Sequence, residues 1–422
     1  MKKRISLILI LTLCVLCFSG CQYRPGQRWS GNYWYSVENE EVTITGYTGF
    51  ATDLTIPETI RGMPVVAIGM DAFMNCFTIR SITIPDTVVI IDMLAFNNCY
   101  ALEHITLGRG VKVINDSSFV DSDKMSYSEY ENGYYIGSED NPYLAFVSPI
   151  SIDVETITFH PDTKIICGGA LKLCKALQEI VFHEGIISLG DYALTYCSAL
   201  ERIHIPATLE TLGLLVFGGY DALQEIVVAE GNANFKSVNG SLFSRDGSQL
   251  IKYAAGQTVA SYRVPDGTVI IGREAFRNAK HLTEVVLPDS VEEIDHLGFL
   301  HCENLRSIHL GNGLKKIGGQ AFGYCKSLTQ ITIPDSVEEI SYSVFSGCAK
   351  LESVVVGSGV VSMNEEVFEA CDALREIIFR DPTGWEVIAM YSISSTKLDL
   401  SDPHKNVTYF TEEYVAYYWS KE

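Results

Sequence analysis

Hydrophobic and polar residues follow a pattern that repeats every 23 residues along most of the chain. Residues 321–345 read AFGYCKSLTQITIPDSVEEISYSVF, with a cysteine three residues after the first phenylalanine and a leucine three residues later. An apolar–polar–apolar triplet and a Pro-Asp pair follow, with valine and isoleucine at the third and sixth positions after the proline. The large apolar residue that opens each of eleven units falls in three evenly spaced series: Phe73, Phe96 and Phe119; Leu171, Leu194 and Phe217; Phe276, Phe299, Phe322, Phe345 and Phe368.

Each part of the unit predicts a local structure. The triplet Ile331-Thr332-Ile333 predicts a short strand with one buried face, and Pro334-Asp335 predicts the turn that ends it. Phe345, Cys348 and Leu351 are spaced three apart, as on one face of a short helical or 3₁₀ turn. A single unit cannot bury its own apolar face, whereas stacked units can. The pattern therefore predicts an α/β repeat solenoid, with short parallel strands on one face and short helical or 3₁₀ turns opposite.

This template resembles the BspA-like family of bacterial leucine-rich repeats over roughly residues 35–419. Tyr35–Phe73 resembles the opening segment of that family, and residues 232–253 resemble its inserted hairpin. Trp385 and the closing Tyr417-Tyr418-Trp419 resemble the C-terminal cap of some members. The resemblance implies a leucine-rich-repeat solenoid and a role in attachment to host extracellular proteins or to other bacteria.

Two insertions interrupt the repeat. The steps Phe119–Leu171 and Phe217–Phe276 span 52 and 59 residues, which leaves extra segments at about 121–150 and 229–263. Asp246-Gly247 predicts a hairpin turn in the second insertion. Insertions in solenoids often bind partners, and tyrosine suits recognition surfaces. The alternative is that each insertion packs its own aromatic residues on the solenoid. The candidate binding residues of the first insertion are Tyr127, Tyr130, Tyr134 and Tyr135.

The N-terminus predicts export. Residues 1–20 contain Lys2-Lys3-Arg4 and then an apolar run, Ile5–Phe18, as in a signal peptide. The run is shorter than the roughly 20 residues of a membrane helix. Ser19-Gly20-Cys21 resembles the bacterial lipobox, in which the cysteine becomes acylated, although Phe18 stands where leucine is usual. We therefore predict lipidation at Cys21; the alternative is an ordinary signal peptide with an incidental cysteine.

These features divide the chain into four predicted parts. They are a signal peptide at 1–20, a lipid tether and N-terminal cap at 21–53, the solenoid at 54–379, and a C-terminal cap at 380–422.

The composition narrows the class of partner. The formal net charge of −21 disfavours nucleic acid, because that binding depends on clustered lysine and arginine. The sequence also lacks a basic cluster for anionic lipid. We therefore predict no nucleic-acid partner, and membrane contact through the lipid anchor only.

Eight cysteines share one position in the unit, three residues after the phenylalanine or leucine. Other units hold Ser122, Tyr220 or Ala279 there. A disulfide framework would not tolerate such single replacements, whereas a buried column of small residues would. A metal ladder would require paired Cys or His ligands, and the mature chain has no CxxC. We predict free structural thiols, no metal and no cofactor at Cys76, Cys99, Cys174, Cys197, Cys302, Cys325, Cys348 and Cys371.

The sequence carries no motif for catalysis. It contains neither HExxH nor GxSxG, and no glycine-rich phosphate loop precedes a helix. The carboxylate pairs Glu292-Glu293 and Glu338-Glu339 lie between buried positions of equivalent units, which indicates a solvated face. A catalytic group should occur once, whereas most polar residues here recur with the period. We predict that the protein is not an enzyme.

The polar residues of the strands predict a binding surface. They alternate with buried residues and should form rows on the outer face of the sheet, where Arg202, His204 and Glu225 cluster in mid-array. The alternative is that these positions are filled for strand propensity alone. We predict a lipid-anchored cell-surface adhesion protein that recognises extracellular protein or glycan partners, including host matrix protein. The alternative function is an envelope scaffold that binds components of its own cell surface.

Overall fold

The computed structural model describes residues 26–119, 124–219, 222–389 and 395–421. The predicted signal peptide and the predicted lipidation site at Cys21 lie outside the described residues. The chain forms two compact units. The N-terminal unit runs to Ala176 and includes Phe182–Cys197 and Thr208–Phe217; the C-terminal unit comprises Leu177–Val181, Ser198–Ala207 and the chain from Gly218 onward.

Both units are β-solenoids in which each regular repeat contributes two short parallel strands. The first, which we call the triplet strand, comes from the apolar–polar–apolar triplet, as in Gln330–Thr332. The second strand follows the Pro-Asp turn, as in Glu339–Ile340, and a turn-rich segment completes the repeat. The solenoid and its triplet strands confirm the sequence prediction, but the sheet of second strands was not predicted.

The N-terminal unit contains three sheets, two of which carry antiparallel additions. Its triplet strands are Asp53–Thr55, Ser81–Thr83 and His104–Thr106. Its second strands are Met63–Ile68 (with Thr59–Ile60 beside it), Ile90–Ile91, Val113–Ile114, Ile165–Ile166, Ser188–Leu189 and Thr211–Leu212. The antiparallel strands are Arg28–Ser30, Tyr33–Glu38 and Glu41–Tyr47 at the N-terminus, and Ser128–Tyr130, Gly133–Ile136 and Ala145–Pro149 in the first insertion.

The C-terminal unit has three triplet sheets and one long sheet of second strands. The triplet sheets are Glu179–Val181, Arg202–Ile205 and Glu225–Val228; Ser261–Arg263, Glu284–Val286 and Ser307–His309; and Gln330–Thr332, Ser353–Val356 and Glu376–Phe379. The second strands are Ile270–Ile271, Glu293–Ile294, Lys316–Ile317, Glu339–Ile340 and Ser362–Met363. The second insertion adds the antiparallel strands Phe235–Val238, Ser241–Ser244 and Gln249–Lys252 at one end of this sheet.

A C-terminal cap covers the other end of the long sheet. The strands Trp385–Ala389, Ser395–Lys397 and Tyr417–Lys421 pair antiparallel, and Tyr417–Lys421 also pairs with Ser362–Met363. The α-helix Pro403–Thr408 and a π-helical turn at Tyr409–Glu413 precede the last strand. No helix among the described residues has the length and apolar character required to cross a bilayer.

The prediction of helical or 3₁₀ turns opposite the triplet strands is wrong. In the turn-rich segment, the residues two before and two after the phenylalanine have positive φ, as Gln320 (53°) and Tyr324 (56°) do around Phe322. Left-handed residues at this spacing interrupt a right-handed helix. Backbone N–H groups bond to the next repeat instead, with Phe322 donating to the carbonyl oxygen of Val344 at 2.9 Å.

Stacked aromatic rings form the centre of the core. The rings of Phe276, Phe299, Phe322, Phe345 and Phe368 stack in sequence, with centroids 4.6 to 5.5 Å apart and interplanar angles of 10° or less. This separation is close to the spacing of paired strands, about 4.8 Å. The ring stack therefore rises by about the same distance per repeat as the strand ladders do.

The cysteines form a column of free thiols beside these rings, as the sequence predicted. Cys325 and Cys348 are fully buried, and each donates its S–H to the carbonyl oxygen of the phenylalanine of the preceding repeat. Burial raises the pKa of both thiols well above the ordinary value. The column is therefore neutral and structural.

Candidate binding surfaces

Outward side chains of the triplet strands form regular rows on each triplet sheet. In Gln330–Thr332, Ile331 is buried, whereas Gln330 and Thr332 are exposed. Parallel pairing in register then places equivalent residues of successive repeats side by side. Because the outward positions differ more in sequence between repeats than the core positions do, these rows are where the surface varies along the chain.

The structure brings Arg202, His204 and Glu225 together on one sheet of the C-terminal unit. Arg202 lies directly opposite Glu225 on one neighbouring strand and Glu179 on the other. The Nε2 atom of His204 lies 2.8 Å from Oε1 of Glu179. The sequence identified the three candidates from alternation and repeat spacing, but it did not identify Glu179 as the partner of His204.

Charge and exposure define what this cluster can bind. Arg202 stands between two exposed carboxylates, and opposite charges on facing strand positions attract each other. The neighbouring row adds an apolar element, because Val181 is 56% exposed beside His204. The cluster therefore presents a compensated set of charges beside an exposed valine. Hydrogen bonding and apolar contact suit this surface better than capture of a highly charged ligand.

The first insertion packs several of its tyrosines around one histidine. The ring of Tyr143 stacks on His160 with centroids 3.9 Å apart, and Tyr130 meets His160 edge-on at 4.7 Å. Tyr135 is fully buried, and its hydroxyl accepts a hydrogen bond from the backbone N–H of His160 at 3.2 Å. Burial raises the pKa of Tyr135 to about 12. A buried ring has no face for a partner, so Tyr135 holds the insertion on the solenoid.

The other tyrosines of the first insertion retain partly exposed surface. Tyr127 and Tyr134 contact each other with ring centroids 5.4 Å apart, and Tyr130 flanks His160. His160 lies after the insertion in the sequence, and its contact with these tyrosines could not be predicted from residue spacing. Tyr127, Tyr130 and Tyr134 therefore remain the candidate contact residues of this insertion.

The carboxylates of the Glu292-Glu293 pair have structural partners. Glu292 lies 2.8 Å from the ammonium of Lys315, and Glu293 lies 3.5 Å from that of Lys316, all on the solvated surface. In the residues that the structure describes, no group of three or more His, Cys, Asp or Glu side chains is placed to hold a metal ion. Glu292 and Glu293 thus link neighbouring repeats through ion pairs.

The architecture is that of a bacterial leucine-rich-repeat solenoid. The family described as "BspA type Leucine rich repeat region" matches in six copies, at residues 48–139, 145–261, 252–375 and 293–418. These matches span well over half of the chain, and the chain belongs to this family. The resemblance seen in the sequence is therefore confirmed. The match indicates no enzymatic family, and proteins of this type are usually found at the bacterial surface.

The chain is similar to several solved structures. A leucine rich cell surface protein from Faecalibacterium prausnitzii A2-165 is 25% identical, with 86% of this chain and 97% of that chain covered and a TM-score of 0.49. The pneumococcal vaccine antigen PcpA is 24% identical, with 85% and 88% covered and a TM-score of 0.52. A leucine-rich repeat protein from Eubacterium ventriosum ATCC 27560 is 19% identical, with 83% of each chain covered and a TM-score of 0.47. No curated protein matches the chain.

Proposed function

We propose that the protein is an exported, lipid-anchored surface protein that binds an extracellular protein or glycan through its solenoid. The observation that carries this proposal is the contrast between a uniform core and variable outward rows. Core positions repeat phenylalanine, cysteine and leucine, whereas outward positions of the triplet strands differ from repeat to repeat. Solenoids use extended surfaces of this kind to bind partners.

Two surfaces are the candidates for this contact. The first is the cluster of Arg202, His204 and Glu225, where charged side chains lie beside exposed Val181. The second is the partly exposed tyrosine surface of the first insertion. Tyrosine contributes a large, rigid contact area at low entropic cost, which supports a role in recognition.

Capture of partners tests the binding function. The chain from Gln22 onward, bound to beads, would be incubated with host matrix extracts and separately with the envelope fraction of the producing cell. Each captured protein would then be purified and titrated against the chain. Binding of a host protein supports adhesion, and binding of an envelope protein alone supports the alternative scaffold function. If neither a host protein nor an envelope protein binds saturably, the proposal is contradicted.

Matched variants assign the surface. The triple replacement Arg202→Ala, His204→Ala and Glu225→Ala removes the charged cluster, while Tyr127→Ser, Tyr130→Ser and Tyr134→Ser removes the aromatic surface. Thr83→Ala, at an equivalent outward position of the N-terminal unit, serves as the control. We expect one of the two sets to weaken binding at least about tenfold, as for removal of a central contact group.

Lipid anchoring has its own test. Cells that express the full chain would be labelled with an alkyne analogue of palmitate, and the protein would be examined for incorporated label. We expect label on the wild-type chain and none on Cys21→Ser. Equal labelling of both chains would show that Cys21 is not the acylated residue.

A further inference from the structure

A cavity lies on the outward face of the triplet strands in the C-terminal unit, and none of the residues that line it belongs to the two candidate surfaces. Its volume is about 470 Å³. Outward side chains of three successive triplet strands line it: Ser307–His309, Gln330–Thr332 and Ser353–Val356. Pockets for small ligands have volumes of about 300 to 1,000 Å³, so this cavity has the size for a small ligand and not for a folded domain.

The cavity coincides with a change in strand pairing. Among the described strands, no pairing joins Ser307–His309 to Gln330–Thr332. Ile308 lines the cavity and is partly exposed, whereas Val285, at the equivalent position of the preceding strand, is fully buried. The cavity therefore has an accessible apolar contact in addition to its polar side chains.

Four polar side chains of the cavity are free to bond a ligand. They are the hydroxyls of Ser307 and Thr332, the imidazole of His309 and the amide of Gln330, all of them exposed. Within the part of the chain that the structure describes, none of these side chains has a hydrogen-bond partner. Hydroxyl, amide and neutral imidazole groups can each both donate and accept. The cavity therefore offers donors and acceptors together, without competition from internal bonds.

The charges around the cavity favour an uncharged ligand. At the cavity, the first outward position of each triplet strand carries no charge: Ser307, Gln330 and Ser353. The strands on either side carry Glu284 and Glu376 at that position, and these carboxylates would repel an anion. The carboxylate of Asp335 and the guanidinium of Arg380, which also line the cavity, pair with each other at 2.8 Å. A charged ligand would have to displace one partner of that ion pair.

The lining distinguishes a sugar from a protein side chain. Protein interfaces depend on aromatic and arginine anchors that fill well-packed pockets. Here the partly exposed apolar side chains are only Ile308 and Val355, which leave little surface for such an anchor. A sugar unit carries several hydroxyls that both donate and accept, together with C–H groups that make apolar contacts. It therefore matches both the free polar side chains and the small apolar surface.

We propose that this cavity binds an uncharged glycan through the side chains of Ser307, His309, Gln330 and Thr332. This inference rests on the proposed binding function, and it names the class of ligand and the site. A second cavity of about 390 Å³ shares His309 with the first and is also lined by Val286. The shared histidine gives a glycan of several sugar units a path along the outward row of the sheet.

An oligosaccharide array tests the proposal. The chain from Gln22 onward would be applied to an array that carries neutral oligosaccharides of hexose, fucose and N-acetylhexosamine units, beside sialylated and sulfated ones. Each neutral oligosaccharide that binds would then be titrated by isothermal calorimetry. We expect neutral oligosaccharides to bind with an affinity that changes less than about threefold between low salt and about 1 M salt, because no ion pair with the ligand is available for salt to screen.

Two variants remove hydrogen-bonding groups of the cavity while keeping side chains of similar size. Thr332→Val and Gln330→Leu should each weaken binding about threefold to tenfold, and the double variant about tenfold or more. Thr83→Val makes the same chemical change at the equivalent exposed position of the N-terminal unit and should leave the affinity unchanged. Because the replaced side chains are exposed and have no partner among the described residues, urea unfolding of the variants should match that of the wild type.

The inference is overturned if no neutral oligosaccharide binds, if only sialylated or sulfated ones bind, or if the double variant binds as tightly as the wild type. A protein captured from host or envelope extracts separates the inference from the binding function. Loss of its binding after enzymatic removal of its glycans supports the inference. A captured protein that still binds after deglycosylation, and binds the double variant with wild-type affinity, overturns this inference alone and leaves the binding function standing.

Discussion

The thiol of Cys325 donates a hydrogen bond to the backbone carbonyl oxygen of Phe299 in the preceding repeat, with 3.3 Å between sulfur and oxygen. The same relation links Cys302 to Phe276 at 3.1 Å. The cysteine therefore fills a small buried space and also connects neighbouring repeats. Both roles explain why a small residue with a weak donor recurs at this position.

We expect Cys325→Ala to lower the free energy of unfolding by about 1 kcal/mol, because it leaves a small cavity and removes the S–H donor. Cys325→Leu should cost more, since extra methylene groups must enter a packed core. Urea unfolding followed by circular dichroism measures both. Equal stability of Cys325→Ala and the wild type would argue against any contribution from the hydrogen bond.

The thiol column makes stability depend on pH. Burial raises the pKa of Cys302 and of Cys371 to about 12 from an ordinary value of 9.0. Below pH 9 the thiols are neutral in folded and unfolded chains. Between about 9 and 12 only the unfolded chain ionises, so the stability that the neutral thiols provide is lost as pH rises.

As the pH rises above 9, the double variant Cys302→Ala, Cys371→Ala should therefore lose less stability than the wild type does. We expect the difference in the free energy of unfolding between the two chains to narrow by about 1 kcal/mol per thiol between about pH 8 and pH 10. Urea unfolding at both pH values measures the gap. A constant gap would mean that the thiols do not titrate on unfolding.

The repeat spacing predicted the stacked core, the triplet strands and the free thiols because each follows from one residue type at a fixed position. The turn-rich segment was mispredicted because its left-handed positions are occupied by residues such as Leu297, Ser343 and Glu366, which give no local signal for positive φ. The asparagines and glycines at such positions, such as Asn278 and Gly347, are the residues that would have signalled it.

The candidate surfaces were also predicted only in part. Alternation and spacing placed Arg202 and Glu225 on one face, because side-chain direction in a strand has a period of two. Among the described strands, the missing pairing between Ser307–His309 and Gln330–Thr332 could not be predicted, because Ile308 fits the template as well as Val285 does.

A buried lysine in the second insertion should make stability rise with pH, which is opposite to the effect of the thiols. Lys252 is 2% exposed, and its Nζ atom donates to the backbone carbonyl oxygen of Glu274 at 3.0 Å. Burial lowers the pKa of Lys252 to about 8 from 10.5, and the carboxylate of Glu274 partly offsets this effect. Protonation of Lys252 therefore destabilises the folded chain. The stability that accompanies the neutral lysine is fully present above pH 10.5 and is lost as pH falls through about 8.

Lys252→Met should remove this dependence, because methionine has a similar shape and no charge. Relative to the wild type, we expect the variant to gain about 3 kcal/mol more at pH 7 than at about pH 10.5. Thermal unfolding at both pH values gives the comparison. Lys236→Met, on the same hairpin and partly exposed, is the control and should show no such change. A gain that does not vary with pH would mean that Lys252 does not titrate in the folded protein.

The charged row through Arg202 predicts a salt-dependent loss of stability on charge reversal. Arg202 lies opposite Glu179 and Glu225, so Arg202→Glu would place three carboxylates side by side on adjacent strands. Like charges at directly opposite positions destabilise a sheet by up to about 1 kcal/mol each. We expect a loss of about 1 to 2 kcal/mol at low ionic strength and a smaller loss at about 1 M salt, where exposed charges are screened. Arg202→Gln, which removes the attraction without adding repulsion, should lose less and respond less to salt. Urea unfolding in low and high salt measures both variants, and a loss for Arg202→Glu that salt leaves unchanged would point to altered packing and not to charge.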